Sequence, residues 1–215
     1  MGRIITAAEL QSPDTVGLAR WLLGKALVRT SRGRATAHVI TEVEAYDSER
    51  DLACHASRGR TGRTETLYAA GGVWYVYLVY GMHHMLNIVT GPRGHPAAVL
   101  IRGAGSISGP GRITRALCID RRLNGAPAVR ASGLHLEDTG TRVGPRGVLA
   151  TPRIGVDYAG PVWSRKPWRF VLRGRGSGRG ARPGRRPRSA GPGRPLHNKC
   201  AFFVKCRAAG RRGSG

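Results

Sequence analysis

The run Val73-Trp74-Tyr75-Val76-Tyr77-Leu78-Val79-Tyr80-Gly81-Met82-His83-His84-Met85-Leu86-Asn87-Ile88-Val89-Thr90 constrains the fold more than any other stretch of the chain. It is mostly apolar and aromatic, and one glycine breaks it at the centre. Branched and aromatic residues suit a pleated, half-buried strand, and a glycine between two such runs supplies a turn, so the stretch reads as a β-hairpin. Gly81 at the turn places Tyr80 and Met82 at an exposed tip. Large apolar side chains are a poor choice there unless they insert into something. The turn Gly91-Pro92-Arg93-Gly94 and a third apolar strand over 97–102 follow at once, which makes an antiparallel meander.

A second strand lies upstream. Ile40-Thr41-Glu42-Val43-Glu44-Ala45-Tyr46 contains neither Gly nor Pro and is rich in branched residues. With a side-chain period of two, Glu42, Glu44 and the ring of Tyr46 share one face, while Val43 and Ala45 take the other. Two carboxylates on a buried face are costly. Alone, the stretch also fits a wet face with ordinary glutamates. Rings concentrate here: four of the six tyrosines lie in these two stretches, and such rings can stack on a base.

The rest of the chain supplies frame. Ser12-Pro13-Asp14 predicts a helix start, with Ser12 as the cap, and Val16, Leu18, Ala19, Leu22 and Leu23 form an apolar stripe that Gly24 ends. Strands are expected over 25–29 and 35–46 around the turn Ser31-Arg32-Gly33, then a polar break over 47–51. Gly109-Pro110-Gly111 precedes a short helix over 112–119. Residues 121–150 carry few signals, and 154–156 and 168–172 read as closing strands. The expected class is α+β: one domain over 1–172, and a Gly-, Arg- and Pro-rich segment over 173–215 that cannot bury a core and is expected to be disordered. That tail is read either as a basic DNA tether, as incidental, or as the product of a shifted reading frame.

A formal charge of +24 points to a polyanion, most simply nucleic acid. Thirteen Lys or Arg and no acid lie from Arg173 onward, which leaves a net eleven positive charges on the rest. Arg58, Arg60 and Arg63 sit two and three apart in a glycine-bearing loop, a spacing that can follow successive phosphates. A membrane surface is the competing polyanion, but no basic amphipathic helix and no stretch of eighteen apolar residues occurs. The four cysteines, Cys54, Cys118, Cys200 and Cys206, have no paired-zinc spacing and suggest no disulfide framework, so a reducing cytoplasm is expected. No third ligand stands at a useful spacing from Cys54 and His55, and His83 and His84 fall on opposite strand faces, so no metal is expected.

Glu44-Ala45-Tyr46, His55, Tyr75-Val76-Tyr77-Leu78-Val79-Tyr80-Gly81-Met82 and Asn87, in this order, resemble the alkyladenine (3-methyladenine) DNA glycosylase family. The similarity runs from about Ile5 to Leu172. It takes in Ser57-Arg58-Gly59-Arg60-Thr61, the strand over 98–102, Ser108-Gly109-Pro110-Gly111-Arg112 and Lys166-Pro167-Trp168-Arg169-Phe170. Each motif is weak; their order and spacing together are specific.

The resemblance implies a curved, barrel-like antiparallel sheet with flanking helices and a protruding hairpin. It implies a monomeric, DNA-associated repair enzyme that hydrolyses the N-glycosidic bond of alkylated or deaminated purines in duplex DNA, without cofactor. The four lysines, Lys25, Lys166, Lys199 and Lys205, offer no obvious amine nucleophile, so no strand cleavage is expected. Glu44 matches the catalytic carboxylate, and Glu42 on the same face could raise its pKa. Tyr46, His55 and Tyr77 match the walls of a base pocket, and Asn87 the position that rejects guanine. Tyr80 matches the intercalating wedge, with Met82 beside it. Arg102 matches a basic residue that contacts phosphate and carboxylate, and Arg112 stands at a helix start suited to phosphate. Gly62 and Ala69-Ala70-Gly71-Gly72 depart from more proline-rich relatives, which predicts looser loops around the pocket. The alternative reading is a non-catalytic nucleic-acid binder, DNA- or RNA-directed, built on the same hairpin and charge. Glu44 discriminates between them, since a binder has no use for a carboxylate facing phosphate.

Overall fold

Ten strands pair into one antiparallel sheet in the computed structural model, which describes Gly2–Arg173. In chain order they are β1 (Arg3–Ile4), β2 (Ala26–Ser31), β3 (Arg34–Asp47), β4 (Trp74–Val79), β5 (His83–Val89), β6 (Ala97–Ala104), β7 (Ile107–Ser108), β8 (Leu134–Asp138), β9 (Val148–Thr151) and β10 (Arg169–Leu172). Four short helices, α1 (Ala7–Leu10), α2 (Thr15–Leu22), α3 (Pro110–Ala116) and α4 (Gly160–Ser164), complete the α+β architecture. The described residues fall in one compact unit. The tail read from the sequence lies, beyond Arg173, outside the described residues.

The strand order is β1-β8-β2-β3-β6-β5-β4, with β10 paired to β3 and β9, and β7 paired to β6. Its two ends, β1 and β4, are not paired with each other, so the sheet is not closed; the expected barrel-like closure is absent from this pairing. The 14-residue β3 is shared. Its first half pairs with β2, and its second half lies between β6 and β10. Register shifts on either side of Glu42 in the β3–β6 pairing let the strand change partners there.

Side-chain alternation then separates two environments. Val43, Ala45, Trp74, Val76, Leu86, Ile88, Val99 and Ile101 form the core with α2 and Phe170. Each large side chain buried this way contributes about 1.5–3 kcal/mol. The alternate positions, Glu44, Tyr46, Tyr75, Tyr77, Asn87, Leu100 and Arg102, carry the candidate site. The meander β4-β5-β6 lies in the expected order, and Tyr80 and Gly81 make its first turn, both at positive φ, 51° and 68°.

Several boundaries differ from the sequence reading. Asp14, not Ser12, caps α2: its carboxylate accepts from the Gly17 N–H at 2.8 Å, while Ser12 Oγ accepts from the Asp14 N–H. The helix expected over 112–119 is Pro110–Ala116. The strand expected over 154–156 is a loop, because Gly155 takes φ 75°, and the extended segment lies earlier, at β9. Within 121–150, β8 sits between β1 and β2; the alternation Leu134-His135-Leu136-Glu137 was its signal. Gly71 and Gly72 allow close packing rather than looseness: a Cβ at Gly71 would stand 2.3 Å from the Leu10 carbonyl oxygen, and one at Gly72 2.8 Å from the Ala7 Cβ.

Candidate active site

A cavity of about 300 Å³ opens on the face that carries the alternate side chains. Tyr46, His55, Tyr77, Asn87 and Arg102 line it, so the chain brings these expected residues together. The volume lies at the low end of the range for small-ligand sites.

Glu44 is fully buried and stands behind the wall. Its Oε2 accepts from the Tyr46 hydroxyl at 2.8 Å and from Arg102 Nη1 at 3.3 Å; its Oε1 accepts from the Ile154 N–H at 2.8 Å. All three partners line the cavity. Burial raises the Glu44 carboxyl above its ordinary range, and the Arg102 charge, the Ile154 N–H, the Tyr46 hydroxyl and the Arg153 charge pull it back. Glu42 is not among the causes. Its Oε1 accepts from Arg102 Nε at 3.0 Å and from Arg169 Nε at 2.6 Å, so two guanidinium groups screen it from Glu44. Arg102 therefore bridges both carboxylates instead of standing free for a phosphate.

The aromatic wall is a packed cluster. His55 meets Tyr77 edge-on at 4.6 Å between centroids, and Tyr75 and Tyr77 lie 5.2 Å apart. His55 Nδ1 and the Tyr75 hydroxyl share a hydrogen bond of 3.0 Å. Burial, with Arg63 and Arg58 adding like-charge repulsion, pushes the His55 pKa down to about 4, so the ring is neutral near pH 7. Asn87 is buried, and its Nδ2 donates to the Tyr75 carbonyl at 3.1 Å, which fixes the amide on the cavity wall.

Tyr80 and Met82 are 89% and 68% exposed at the hairpin turn, outside the core. Tyr80 holds a left-handed conformation that costs a non-glycine residue about 1–2 kcal/mol. Strain of this kind collects at functional positions. Arg58 and Arg63 border an adjoining cleft, and Arg63 also lies over the Tyr77 ring at 5.4 Å. Arg60 is engaged elsewhere, by Glu65 at 2.6 and 2.8 Å, and Arg112 is exposed on the first turn of α3.

Three contacts of the site are not legible in the sequence. Ile154 acts through its backbone, which no side-chain pattern reveals. Tyr75 belongs to the aromatic strand, but its bond to His55 needs the fold. Arg169 reaches Glu42 across 127 positions, by the pairing of β10 with β3. Among the described residues, no group of three His, Cys, Asp or Glu side chains is placed to hold a metal ion.

A family model described as methylpurine-DNA glycosylase matches residues 9–108 and 104–176. A protein of Methanocella arvoryzae called "Putative 3-methyladenine DNA glycosylase" is 43% identical over 178 residues, covering 73% of this chain and 86% of the relative. Proteins of the same name are 44% identical in Myxococcus xanthus, over 179 residues (79% and 91%), and 44% identical in Anaeromyxobacter dehalogenans, over 169 residues (75% and 80%).

Proposed function

Because this chain belongs to the methylpurine-DNA glycosylase family, we propose that it is a DNA repair enzyme which hydrolyses the N-glycosidic bond of alkylated or deaminated purines in duplex DNA and leaves an abasic site. The observation that carries this reading is the buried Glu44, held by three donors on the wall of an aromatic cavity.

The sugar carbon that must be attacked is hidden inside a duplex, so the nucleotide rotates out of the stack. Tyr80, with Met82 beside it, fills the vacated step, at an unstacking cost of about a few kcal/mol. The extruded base lies among Tyr46, His55 and Tyr77. Stacking on a ring is worth about 1–3 kcal/mol per base, and an alkylated, electron-poor purine gains a cation–π contribution. The fixed Asn87 amide crowds the 2-amino group of a normal guanine. Arg58, Arg63 and Arg112 neutralise phosphates of the duplex.

Glu44 takes a proton from water as the water oxygen bonds to C1′ and the C1′–N bond breaks. The electron pair leaves with the base, which departs neutral when it was a cationic alkylated purine and takes a proton from solvent water when it was a neutral deaminated one, and the carboxylate stabilises the cationic sugar meanwhile. General-base help of this kind is worth about 10²–10⁴-fold. The two lysines among the described residues are engaged: Lys25 Nζ is buried on Asp138 at 2.7 Å, and Lys166 Nζ lies over the rings of Trp163 and Trp168. In this reading water is the nucleophile, and the enzyme is a monofunctional, monomeric hydrolase without lyase activity. No described helix is long and apolar enough to cross a membrane.

The test is incubation with duplexes that each hold one damaged purine, followed by alkaline cleavage. Alkali-labile sites at the lesion, with no strand breaks before alkali, are expected. Binding of the same duplexes with no alkali-labile product would return the non-catalytic alternative.

A further inference from the structure

Behind the cavity lies a buried ion pair that this reaction does not use. The Asp51 and Arg153 side chains have no solvent exposure. Arg153 donates from both terminal nitrogens to the two Asp51 oxygens, from Nη1 to the Ala45 carbonyl at 2.8 Å and from Nη2 to the Trp163 carbonyl at 3.2 Å. Its guanidinium lies between two rings, 4.8 Å from the Tyr46 centroid and 5.1 Å from that of Trp168. The Arg153 Nε is left buried without a partner among the described residues. Asp51 also accepts from the N–H groups of Asp47 and Ala53, at 3.2 and 3.0 Å.

A buried pair is a poor way to stabilise a fold, since desolvation offsets much of the attraction, and an orphaned Nε adds to the cost. What this pair touches is more telling. Arg153 holds the carbonyl of the residue after Glu44 and the ring of the residue after that. It is peptide-bonded to Ile154, whose N–H is the Glu44 Oε1 donor. Trp168 closes the other side of the guanidinium and accepts the Ala45 N–H at 2.9 Å, which gives the Lys166-Pro167-Trp168-Arg169 motif a purpose. Asp51 anchors the start of the segment that leads to His55.

The geometry points to Asp51 and Arg153 as positioning residues: a buried clamp that fixes the Ile154 donor, the Tyr46 ring and hydroxyl, and so Glu44, without itself touching the flipped base. This role rests on the hydrolytic reading proposed above. Misplacement of a catalytic group by about 1 Å can cost about 10²-fold in rate.

The test combines single-turnover excision with direct titration of the Glu44 carboxyl by carbon-13 NMR, in the full chain. The groups that face Glu44 are Tyr46 and Glu42 on its own strand, Arg102 from β6, Arg169 opposite it on β10, Tyr77 from β4, and Arg153. Arg153→Met removes a positive charge near Glu44. It should lower the excision rate by about 10²-fold, leave the half-saturating DNA concentration within about threefold, and move the limb on which the rate falls as Glu44 is protonated to higher pH. Asp51→Asn leaves the Arg153 charge uncompensated and should move the same limb to lower pH, with a similar loss of rate. The opposite shifts report the charges of the pair on Glu44, and the loss of rate at retained affinity reports its positioning. Arg153→Lys keeps the charge without the fork, so it should restore the limb but not the rate. If either single variant fails to fold, Asp51→Leu with Arg153→Met together removes both charges and should fold but stay slow.

Unchanged rate per active molecule, with no shift of the limb in any folded variant, would overturn the clamp. If the unaltered chain excises nothing, the hydrolytic reading falls, and the Glu44 titration still decides whether the pair sets its environment.

Discussion

The backbone N–H of Ile154 donates to Oε1 of Glu44 at 2.8 Å across 110 positions of sequence. A carboxylate held by a backbone donor, a hydroxyl and a guanidinium is fixed in orientation, and a general base needs that before it needs a particular pKa. Glu44 is also held partly against its surroundings, because burial raises its pKa while its donors lower it.

Glu44→Gln keeps the shape and loses the proton acceptor. Excision in a single turnover should fall by about 10²–10⁴-fold, with DNA affinity retained. In the unaltered chain the rate should fall as pH drops through the pKa of Glu44. That limb should lie above the ordinary carboxyl value of 4.5, since burial raises this group. The variant's residual rate should show no such limb. A full rate in Glu44→Gln would move the base elsewhere.

Tyr80→Asn tests whether the strained turn serves the wedge. Asn-Gly is the favoured pair where both central residues of a hairpin turn have positive φ, as at Tyr80 and Gly81. The substitution should stabilise the fold by about 1 kcal/mol and raise the melting temperature. Excision of a lesion in a stable pair should fall, and a lesion in a mismatch should suffer less, because less unstacking remains to be offset. A lower melting temperature with equal loss on both substrates would contradict the wedge.

His55 makes stability depend on pH. Its pKa falls from 6.5 unfolded to about 4 folded, so between these values the unfolded chain binds more protons. The contribution is present above about pH 6.5 and lost as pH drops through about 4, on the order of 3 kcal/mol in all. Urea unfolding at pH 4.5 and 7 should show a smaller difference for His55→Phe than for the unaltered chain.

Gly71→Ala and Gly62→Ala should have opposite signs. A Cβ at Gly71 would meet the Leu10 carbonyl oxygen at 2.3 Å, and such overpacking costs about 1–3 kcal/mol. A Cβ at Gly62 meets nothing within 4 Å. There the smaller entropy of the unfolded chain should stabilise by about 0.4–1 kcal/mol. Melting temperatures of the two variants decide both.

Period-two alternation carried much of the fold. It placed Glu44 and Tyr46 on one face and Val43 and Ala45 on the other, and Gly81 marked the turn between β4 and β5. It did not reach β9, which lies just upstream of the strand expected over 154–156, because Gly155 is a turn that looks like the end of an apolar run. For the site, side chains with distinctive chemistry were legible: Tyr46, His55, Tyr77 and Asn87 line one cavity, and Glu44 stands behind its wall. Contacts made by backbone, or between distant charges, were not. Asp51 read as part of a polar break and is fully buried, because its partner Arg153 lies 102 positions away. Arg60 read as a phosphate contact, and a local acid, Glu65, occupies it.

The sharing of β3 among β2, β6 and β10 also sets an order of events during synthesis. The β2–β3 hairpin and the β4-β5-β6 meander join neighbours in sequence and can close as soon as they leave the ribosome. The Ile154 N–H comes 110 residues after Glu44, and the Glu42 partner Arg169 comes 127 residues after Glu42. At about 5–20 residues per second, that is an interval of about 5–25 seconds. Through that interval the emerging chain carries Glu44 without the backbone donor that holds it, so the carboxylate proposed as the base is aimed only when nearly the whole domain has been made.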